Sequence, residues 1–365
     1  MPSTVLILAD DLTGAADSAA AFAISGRRTH VVLAPPVDPV KAFARNAVSV
    51  DAESVDAESD DVVSDDAESD DAESYDAVSV DAESVDVVSV DVDSRAMTEH
   101  DAIAATAAAF ERHRRHSTDG IFVKIDSTMR GHVRSTVETV LAALPARPSR
   151  VVVCPAFPLL GRTVVDGAVH VDGEAIPDGL LRDRFAGFPA GAGLFIAAAQ
   201  TEEQLAAIVR MMDDDVLWVG SAGLARHVAA RYAPTTAAEP VERCAATRVV
   251  VIVGSQHARS IEQLGRLDKE TKVLRIDPRD RAFLETARAT IASADGLVLT
   301  GGHTARAVLD LLEIGRYALG GEVETGIAWG IAGHDGRSLP IVTKAGGFGD
   351  VDSLRRAVDF LGHTN

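Results

Sequence analysis

The chain has 365 residues, 47% of them hydrophobic and 25% charged, with a formal net charge of −20. This composition is typical of a soluble globular protein with apolar material for about two domains. No run approaches the roughly 18 apolar residues of a membrane span, and the N-terminus lacks the basic start and cleavage site of a signal peptide, so we expect a cytoplasmic protein without a membrane partner. Its two cysteines, Cys154 and Cys244, exclude a disulfide framework and a thiolate zinc site.

The negative charge is concentrated in residues 51–90, which contain 16 Asp and Glu and no Lys or Arg. The other 325 residues carry 39 acids against 35 bases, a net charge of −4. They contain no cluster of Lys and Arg interleaved with aromatic residues, so no nucleic-acid partner is expected.

Residues 51–90 consist of pentads such as DAESV and DVVSV, with Asp at every fifth position. A period of five matches neither a strand nor a helix, and it predicts a solvated loop without a continuous apolar face. Because residues 46–50, NAVSV, resemble the pentads and join well to residues 91–95, DVDSR, we interpret 51–90 as a low-complexity insertion that expanded from the end of a strand. An acidic segment that binds a partner is the alternative.

The remaining sequence alternates short apolar strands with helices. Up to residue 232 the predicted strands are 5–9, 30–34, one around residue 90, 120–125, 150–154 and 216–219. The predicted helices in this part are 13–25, one from 98, 131–144, 201–212 and 221–232. This alternation predicts a mostly parallel sheet covered on both faces.

Residues 233–246 are rich in Pro and Ala, have no periodicity, and therefore predict a linker. Beyond it, predicted strands at 248–253, 272–276, 296–299 and 340–343 alternate with helices that start near 259, 282, 304 and 352. We therefore expect an α/β protein with two α/β domains, residues 1–232 and 247–365, mostly parallel sheets, and the ligand site in the cleft between them.

Ligands of open α/β sheets bind at the carboxyl ends of the strands. In the first domain these ends carry Asp10, Asp11, Asp126, Ser127, Arg130 and Arg162, and Lys124 lies in an otherwise apolar strand. Two adjacent aspartates can orient a polyol, bind Mg²⁺ or act as a base, although each could instead cap the following helix. The cationic side chains could hold an anionic substrate.

The second domain has three Gly-rich turns at strand ends. They contain Gly254 with Ser255, then Gly301, Gly302, His303 and Thr304, and finally Lys344 with Gly346 and Gly347. Turns of this kind let backbone N–H groups approach a phosphate at a helix N-terminus. Three of them predict nucleotide binding, although neither the P-loop motif nor the dinucleotide fingerprint is present.

Eight stretches of the chain resemble the four-carbon acid sugar kinase family. They are LADDLTGAADSA, VDVDSRA, KIDSTMRG, PAFPLLGRTVVDG, WVGSAGLA, VVIVGSQHARSIEQL, TGGHTARAVL and VTKAGGFGD, in the family's order. They span nearly the whole chain except residues 51–90.

The resemblance implies an N-terminal substrate domain, a C-terminal ATP domain, and Mg²⁺-dependent transfer of the γ-phosphoryl group to a hydroxyl of a small sugar acid such as threonate or erythronate. It implies that Asp11, as base, and Lys124 act in catalysis. The acid would contact Asp10, Asp126, Ser127, Arg130 and Arg162. ATP would contact Ser255, Gly301, Gly302, His303, Thr304, Lys344, Gly346 and Gly347. The metal ligands stay unassigned, and a homodimer is the candidate assembly.

Two departures from the family pattern leave alternatives open. His303 stands where the family usually carries an acidic residue, and the segment 177–199 is short and rich in Gly and Ala. A catalytically weak protein that binds a sugar acid or a nucleotide is therefore the second hypothesis. A nicotinamide-dependent oxidoreductase rests only on the α/β alternation and lacks the dinucleotide fingerprint.

Overall fold

The computed structural model describes residues 4–35, 85–116, 120–189, 191, 193–232 and 238–363. Its strands are β1 (Val5–Ala9), β2 (Thr29–Leu33), β3 (Val87–Asp91), β4 (Gly120–Lys124), β5 (Arg150–Cys154), β6 (Arg162–Val165), β7 (Ala168–Val171), β8 (Glu174–Leu180), β9 (Leu194–Ile196), β10 (Val216–Gly220), β11 (Val249–Val253), β12 (Lys272–Arg275), β13 (Gly296–Thr300), β14 (Arg316–Glu324), β15 (Ile327–His334) and β16 (Arg337–Lys344).

The α-helices lie between strands along most of the described chain, but none separates β5 to β8 or β14 to β16. They are α1 (Leu12–Ile24), α2 (Glu99–His113), α3 (Val133–Ala143), α4 (Leu181–Arg184), α5 (Glu202–Met211), α6 (Ala222–Ala229), α7 (Ala258–Leu264), α8 (Arg281–Ala292), α9 (Gly302–Leu311) and α10 (Ser353–Gly362). Thr98 and Thr201 cap two of these helices, because Thr98 accepts a hydrogen bond from the N–H of Asp101 and Thr201 accepts one from the N–H of Gln204.

One sheet of thirteen strands runs through the described part of the chain, in the order β12-β11-β13-β16-β15-β14-β2-β3-β1-β4-β10-β5-β9. The strands from β2 to β9 in this order are mutually parallel, and so are β12, β11, β13 and β16. All five residues of β1 are buried, as expected for a parallel strand that is covered on both faces. The predicted α/β class is confirmed.

The two predicted halves share this sheet through an antiparallel pairing. Strand β14 pairs with β2, with Tyr317 opposite Val31, and β15 then returns antiparallel to both β14 and β16. The sequence did not predict β14 and β15, because several glycines interrupt their apolar pattern. One of these, Gly320, lies so close to the ring of Trp329 that a Cβ atom would overlap the indole.

The end of the acidic segment differs from its prediction as a solvated loop. Residues 51–84 lie outside the described part of the chain, but residues 86–90, DVVSV, enter β3, a strand between β1 and β2 with five buried residues. This pentad has three valines and no Glu, so it suits a central strand. Its polar groups are satisfied, because Ser89 donates to the carbonyl of Ala15 and Asp86 accepts from Arg28.

Two further segments lie outside the large sheet. Strands β6, β7 and β8 form a small antiparallel sheet that the sequence did not predict. Of the predicted linker 233–246, residues 233–237 lie outside the described part, and residues 238–246 contain neither helix nor strand. No helix in the portion that the structure describes is long and apolar enough to cross a membrane.

Candidate active site

A cleft of about 1260 Å³ opens at the carboxyl ends of strands from both halves of the sheet. Thirteen of the fifteen predicted site residues line it: Asp11, Lys124, Asp126, Ser127, Arg130, Arg162, Ser255, Gly301, Gly302, His303, Thr304, Gly346 and Gly347. Asp10 and Lys344 are buried outside its lining. The fold therefore brings most of the residues predicted to contact the acid and most of those predicted to contact ATP together in one cleft.

Asp11 caps α1 and also faces the cleft. Its Oδ1 accepts the N–H of Gly14 at 3.0 Å, and its Oδ2 accepts the hydroxyl of Thr13 at 2.8 Å. Burial alone would raise the pKa of Asp11, but the charges of Arg95 and Lys124 outweigh it and lower the pKa below its ordinary value. The carboxylate is therefore ionised at neutral pH.

Arg95, which follows β3, joins both aspartates at the end of β1. Its Nε and Nη2 donate to Asp10 at 2.8 and 2.7 Å, and its Nη1 and Nη2 donate to Asp11 at 3.0 and 2.9 Å. Nη1 also lies 3.7 Å from Oδ1 of Asp126. One guanidinium thus holds three carboxylates, and Asp10 turns towards it rather than into the cleft.

Asp126 follows β4 and accepts from the residues of its own turn. Arg130 donates to it from Nη2 at 2.6 Å and from Nε at 2.9 Å, and both the N–H and the hydroxyl of Thr128 donate to Oδ2. Burial opposes ionisation of Asp126, but the hydrogen bond from Arg130 and the charge of Arg95 lower its pKa. Arg130 stays largely exposed beyond this pair.

Lys124, at the end of β4, and Asp17, on α1, both lie near Asp11. A Cβ atom on Gly14 would be 2.5 Å from Nζ of Lys124 and 2.6 Å from Oδ1 of Asp11, which places the ammonium next to that carboxylate. Asp17 is buried and its Oδ1 has no hydrogen-bond partner among the described residues. Burial and the nearby Glu322 raise the pKa of Asp17 to about 7.

Arg162 lines the cleft from the start of β6. Its guanidinium lies over the ring of Phe348 at 5.3 Å, and Phe348 also meets Phe157 edge to face. Its Nη1 donates to the carbonyl of Leu160, whereas its buried Nε has no partner within the described part of the chain. Phe348 belongs to the last Gly-rich turn, so Arg162 lies where the two halves of the cleft meet.

The turn between β13 and α9 lies directly opposite Asp11. Gly301 has a φ of 102°, a conformation that favours glycine, and its N–H donates to the carbonyl of Lys344 at 2.8 Å. A Cβ atom on Gly302 would overlap the carboxylate of Asp11. The N-terminus of α9 therefore meets the N-terminus of α1 at Asp11, which is the N-cap residue of α1.

Lys344 shapes the last Gly-rich turn from beneath. Its fully buried Nζ donates to the carbonyls of Ala345, Gly346 and Phe348 at 2.9, 3.1 and 3.0 Å. Ser260 donates to the same Gly346 carbonyl at 2.8 Å. Burial lowers the pKa of Lys344 to about 7. Lys344 would therefore affect a bound nucleotide through the position of the Gly-rich turn, and not by direct contact.

Sequence reasoning missed nine charged residues that line the cleft: Asp17, Asp93, Arg95, Asp277, Arg279, Glu285, Arg288, Arg306 and Asp310. Arg95 and Asp93 lie in the stretch VDVDSRA, which indicated only the family resemblance. Their position after β3 was the available signal, because strand ends carry the site in this kind of sheet.

Comparisons with known proteins agree with a cleft that is lined by two halves of the chain. A family model described as a sugar-binding N-terminal domain matches residues 5–184, and one described as a nucleotide-binding C-terminal domain matches residues 197–354. The chain is 29% identical to a D-threonate kinase of Cupriavidus necator, over 96% of each protein. It is 28% identical to a D-threonate kinase of Bordetella bronchiseptica, over 73% of this chain and 84% of the relative.

A solved structure from Salmonella typhimurium LT2 has the same fold, with a TM-score of 0.65 at 18% identity over 97% of this chain and 98% of that one. The two family models occur in the order that the sequence resemblance implies, and together they span the described cleft. The chain thus belongs to the four-carbon acid sugar kinases, a family that joins a sugar-binding domain to a nucleotide-binding domain.

Proposed function

We propose that this protein phosphorylates a hydroxyl group of a four-carbon sugar acid with ATP as the phosphoryl donor, and that D-threonate is the acid. The observation that carries the proposal is the contact between Asp11 and Gly302, because it joins an ionised carboxylate of the sugar-binding half to a Gly-rich helix start of the nucleotide-binding half. Relatives named D-threonate kinases over most of the chain support the choice of acid.

The carboxylate of the substrate needs cationic donors that are not already committed. Arg95 has few donors to spare, since it bonds to Asp10 and Asp11. Lys124 lies near Asp11, where the phosphoryl group is transferred, so Arg162, which lines the cleft where its two halves meet, is the better candidate. Ser127, which lines the cleft in the turn after β4, would donate to or accept from a hydroxyl of the acid.

The phosphates of ATP would lie along the turns of the second half. The N–H groups at the start of α9 and the turn at Gly346 and Gly347 leave room only because these positions lack side chains. A Cβ atom on Gly346 would already lie 2.9 Å from Cβ of Ser255. Backbone N–H groups at a helix start, with its partial positive charge, suit a triphosphate.

The reaction then needs a proton acceptor and a substrate hydroxyl that is aligned for attack on the γ-phosphorus. Asp11 accepts the proton of the substrate hydroxyl while that oxygen forms a bond to the γ-phosphorus, and the bond from the γ-phosphorus to the bridging oxygen of ADP breaks. The cation of Lys124 and the N–H groups of α9 stabilise the negative charge on the transferred group. Each of these residues acts mainly by position, as phosphoryl transfer requires.

Mg²⁺ would neutralise phosphate charge in such a reaction. Within the described residues no group of three or more His, Cys, Asp or Glu could hold a metal ion. The residues therefore do not form a dedicated cage, and we assign no protein ligand to the ion. In kinases Mg²⁺ is commonly carried by the nucleotide phosphates with few protein ligands.

The test is product formation by the full-length protein with ATP, Mg²⁺ and a panel of aldonic acids that includes D-threonate and its epimers. We expect ADP release and a phosphorylated acid detected by ³¹P NMR. Asp11→Asn should lower kcat by about 10²–10⁴-fold without weakening nucleotide binding, and Asp335→Asn, an exposed aspartate, is the matched control. Nucleotide binding without a phosphorylated acid would reject the kinase proposal in favour of a catalytically weak binding protein.

A further inference from the structure

The contact between Arg95 and the paired aspartates is more extensive than a single ion pair. Four N–H groups of its guanidinium donate at 2.7–3.0 Å, two to Asp10 and two to Asp11. Its side chain is only 14% exposed. Such a fork restrains both the distance and the plane of a carboxylate, which a flexible ammonium does not do.

The backbone fixes Arg95 in the same place. The N–H of Arg95 donates to the carbonyl of Asp10 at 3.2 Å, and the N–H of Val92 donates to the carbonyl of Ala9 at 2.9 Å. The turn after β3 is thus bonded to the turn after β1. Asp11 is held by Thr13 and Gly14 on one side and by Arg95 on the other.

We propose that Arg95 is a positioning residue for phosphoryl transfer, which aims the carboxylate of Asp11 at the substrate hydroxyl without binding the substrate itself. This inference rests on the proposed role of Asp11 as the proton acceptor. Its geometric basis is that one guanidinium ties Asp11 to Asp10 and approaches Asp126, so the three carboxylates move as one unit.

The same contact sets the charge state of Asp11. The charged groups around Asp11 are Arg95 after β3, Lys124 at the end of β4, and Asp126 in the following turn. Asp17 on α1, Asp91 and Asp93 at the end of β3, and Arg130 also interact with it. Since burial raises the pKa of Asp11 and Arg95 is the strongest cause that lowers it, loss of Arg95 should raise that pKa.

The test compares Arg95→Met, Arg95→Lys and the wild-type protein by kcat and by kcat/KM against pH. Arg95→Met should lower kcat by about 100-fold through misplacement of Asp11. It should also move the acid limb of the profile to higher pH, because burial would raise the pKa of Asp11 without the strongest charge that opposes it. Arg95→Lys restores the charge but not the fork, and should return the acid limb while kcat stays about 10-fold low.

Arg130→Met is the matched control, because Arg130 also pairs with a carboxylate of this cluster but contacts neither Asp10 nor Asp11 directly. It should raise KM for the acid and move the acid limb much less than Arg95→Met does. Circular dichroism and the nucleotide Kd establish that each variant is folded. If Arg95→Met does not fold, Arg95→Lys decides the question.

The outcomes separate this inference from the proposed function. If Asp11→Asn keeps the wild-type kcat, the proton acceptor is misassigned and the proposed mechanism fails first. If Asp11→Asn is inactive but the Arg95 variants match wild type in kcat and pH profile, Arg95 has no positioning role. A purely structural role for Arg95 would lower the melting temperature without moving the acid limb, and would also contradict the proposal.

Discussion

Nη1 of Arg306 donates a hydrogen bond to Oδ2 of Asp91 at 3.2 Å, and so joins helix α9 of the nucleotide-binding half to strand β3 of the sugar-binding half across 215 positions of sequence. Nη2 of the same guanidinium donates to the carbonyl of Ala34 at 2.6 Å, after strand β2. Burial opposes the charge of Arg306, but Asp91 and Asp310 outweigh it and raise its pKa. Arg306 therefore stays charged inside the protein, whereas burial raises the pKa of Asp91 to about 8 although the charge of Arg306 lowers it.

Removing one partner of this buried pair should be costly. We expect Arg306→Met to lower the free energy of unfolding by about 3–5 kcal/mol, because Asp91 would be left buried and unpaired. The double variant with Asp91→Asn should regain part of that loss. Urea unfolding measures both, and Arg355→Met, which breaks only exposed pairs with Asp352 and Asp359, should cost under about 1 kcal/mol. If Arg306→Met and Arg355→Met lost equal free energies of unfolding, the buried pair of Arg306 with Asp91 would not be stabilising.

The close approach of Gly302 to Asp11 gives a test of the active-site geometry. Gly302→Ala places a methyl group against the carboxylate, so we expect kcat to fall by about 10–100-fold as Asp11 is displaced. Gly333→Ala is the control, because nothing lies within 4 Å of a Cβ atom there. Steady-state kinetics with D-threonate would decide, and a Gly302→Ala enzyme with wild-type kcat would show that the two helix starts do not meet at the reacting group.

Asp17 should make stability depend on pH. Its pKa is about 7 in the folded protein against 3.8 in the unfolded chain, so between these values the folded state binds a proton that the unfolded state has lost. Stability therefore falls as pH rises through this window. Asp17→Asn cannot ionise and should gain on the order of 2–4 kcal/mol relative to wild type between pH 5 and pH 8. Urea unfolding at both pH values checks this, and a constant difference would refute the buried acid.

The acidic repeat can be shortened in two ways that the structure distinguishes. Deleting 51–85 puts Val50 directly before Asp86 and keeps all of β3, with 17 residues, 34–50, left to cross between two parallel strands. This exceeds the dozen that such a crossover needs. We expect wild-type melting temperature and activity.

Deleting 51–90 instead would put Asn46 and Ala47 where Asp86 and Val87 now lie. The pair between Asp86 and Arg28 and part of a buried side chain would be lost. The unfolding free energy should fall by on the order of 2–4 kcal/mol. Thermal melts of the two deletions side by side test this, and equal stability would mean that the last pentad has no special place in the sheet.

The sequence was most informative where a local pattern decides the structure. Strand Arg150–Cys154 is a short run with four buried residues, and Thr201 starts a helix through its own hydroxyl. Strands β14 and β15 could not be read in this way, because Gly320 is required by the packing of Trp329, and Gly330 by the close approach of Ala318 and Tyr317, rather than by any local period. Long-range antiparallel pairing leaves little local signal.

The types of residue at the site could be predicted from the sequence, but the contacts between them could not. Asp11 and Gly302 were both expected at strand ends, yet their contact depends on two strands that meet only in the folded sheet. Arg95 bonds to residues 84 and 85 positions away. Lys344 next to a Gly-rich turn suggested a cation for phosphate, and only the fold shows that the turn curls back so that three of its carbonyls surround Nζ.

The pairing of β14 with β2 has a consequence for any attempt to study the two halves apart. Cutting the chain within 233–246 would leave each fragment with a newly exposed strand edge, a row of N–H and C=O groups without partners. Such edges recruit other chains, so a separated sugar-binding or nucleotide-binding fragment should aggregate or reassemble with its counterpart rather than persist as a soluble monomer. We therefore expect the two halves of the chain to depend on each other for folding, although they are separate in sequence.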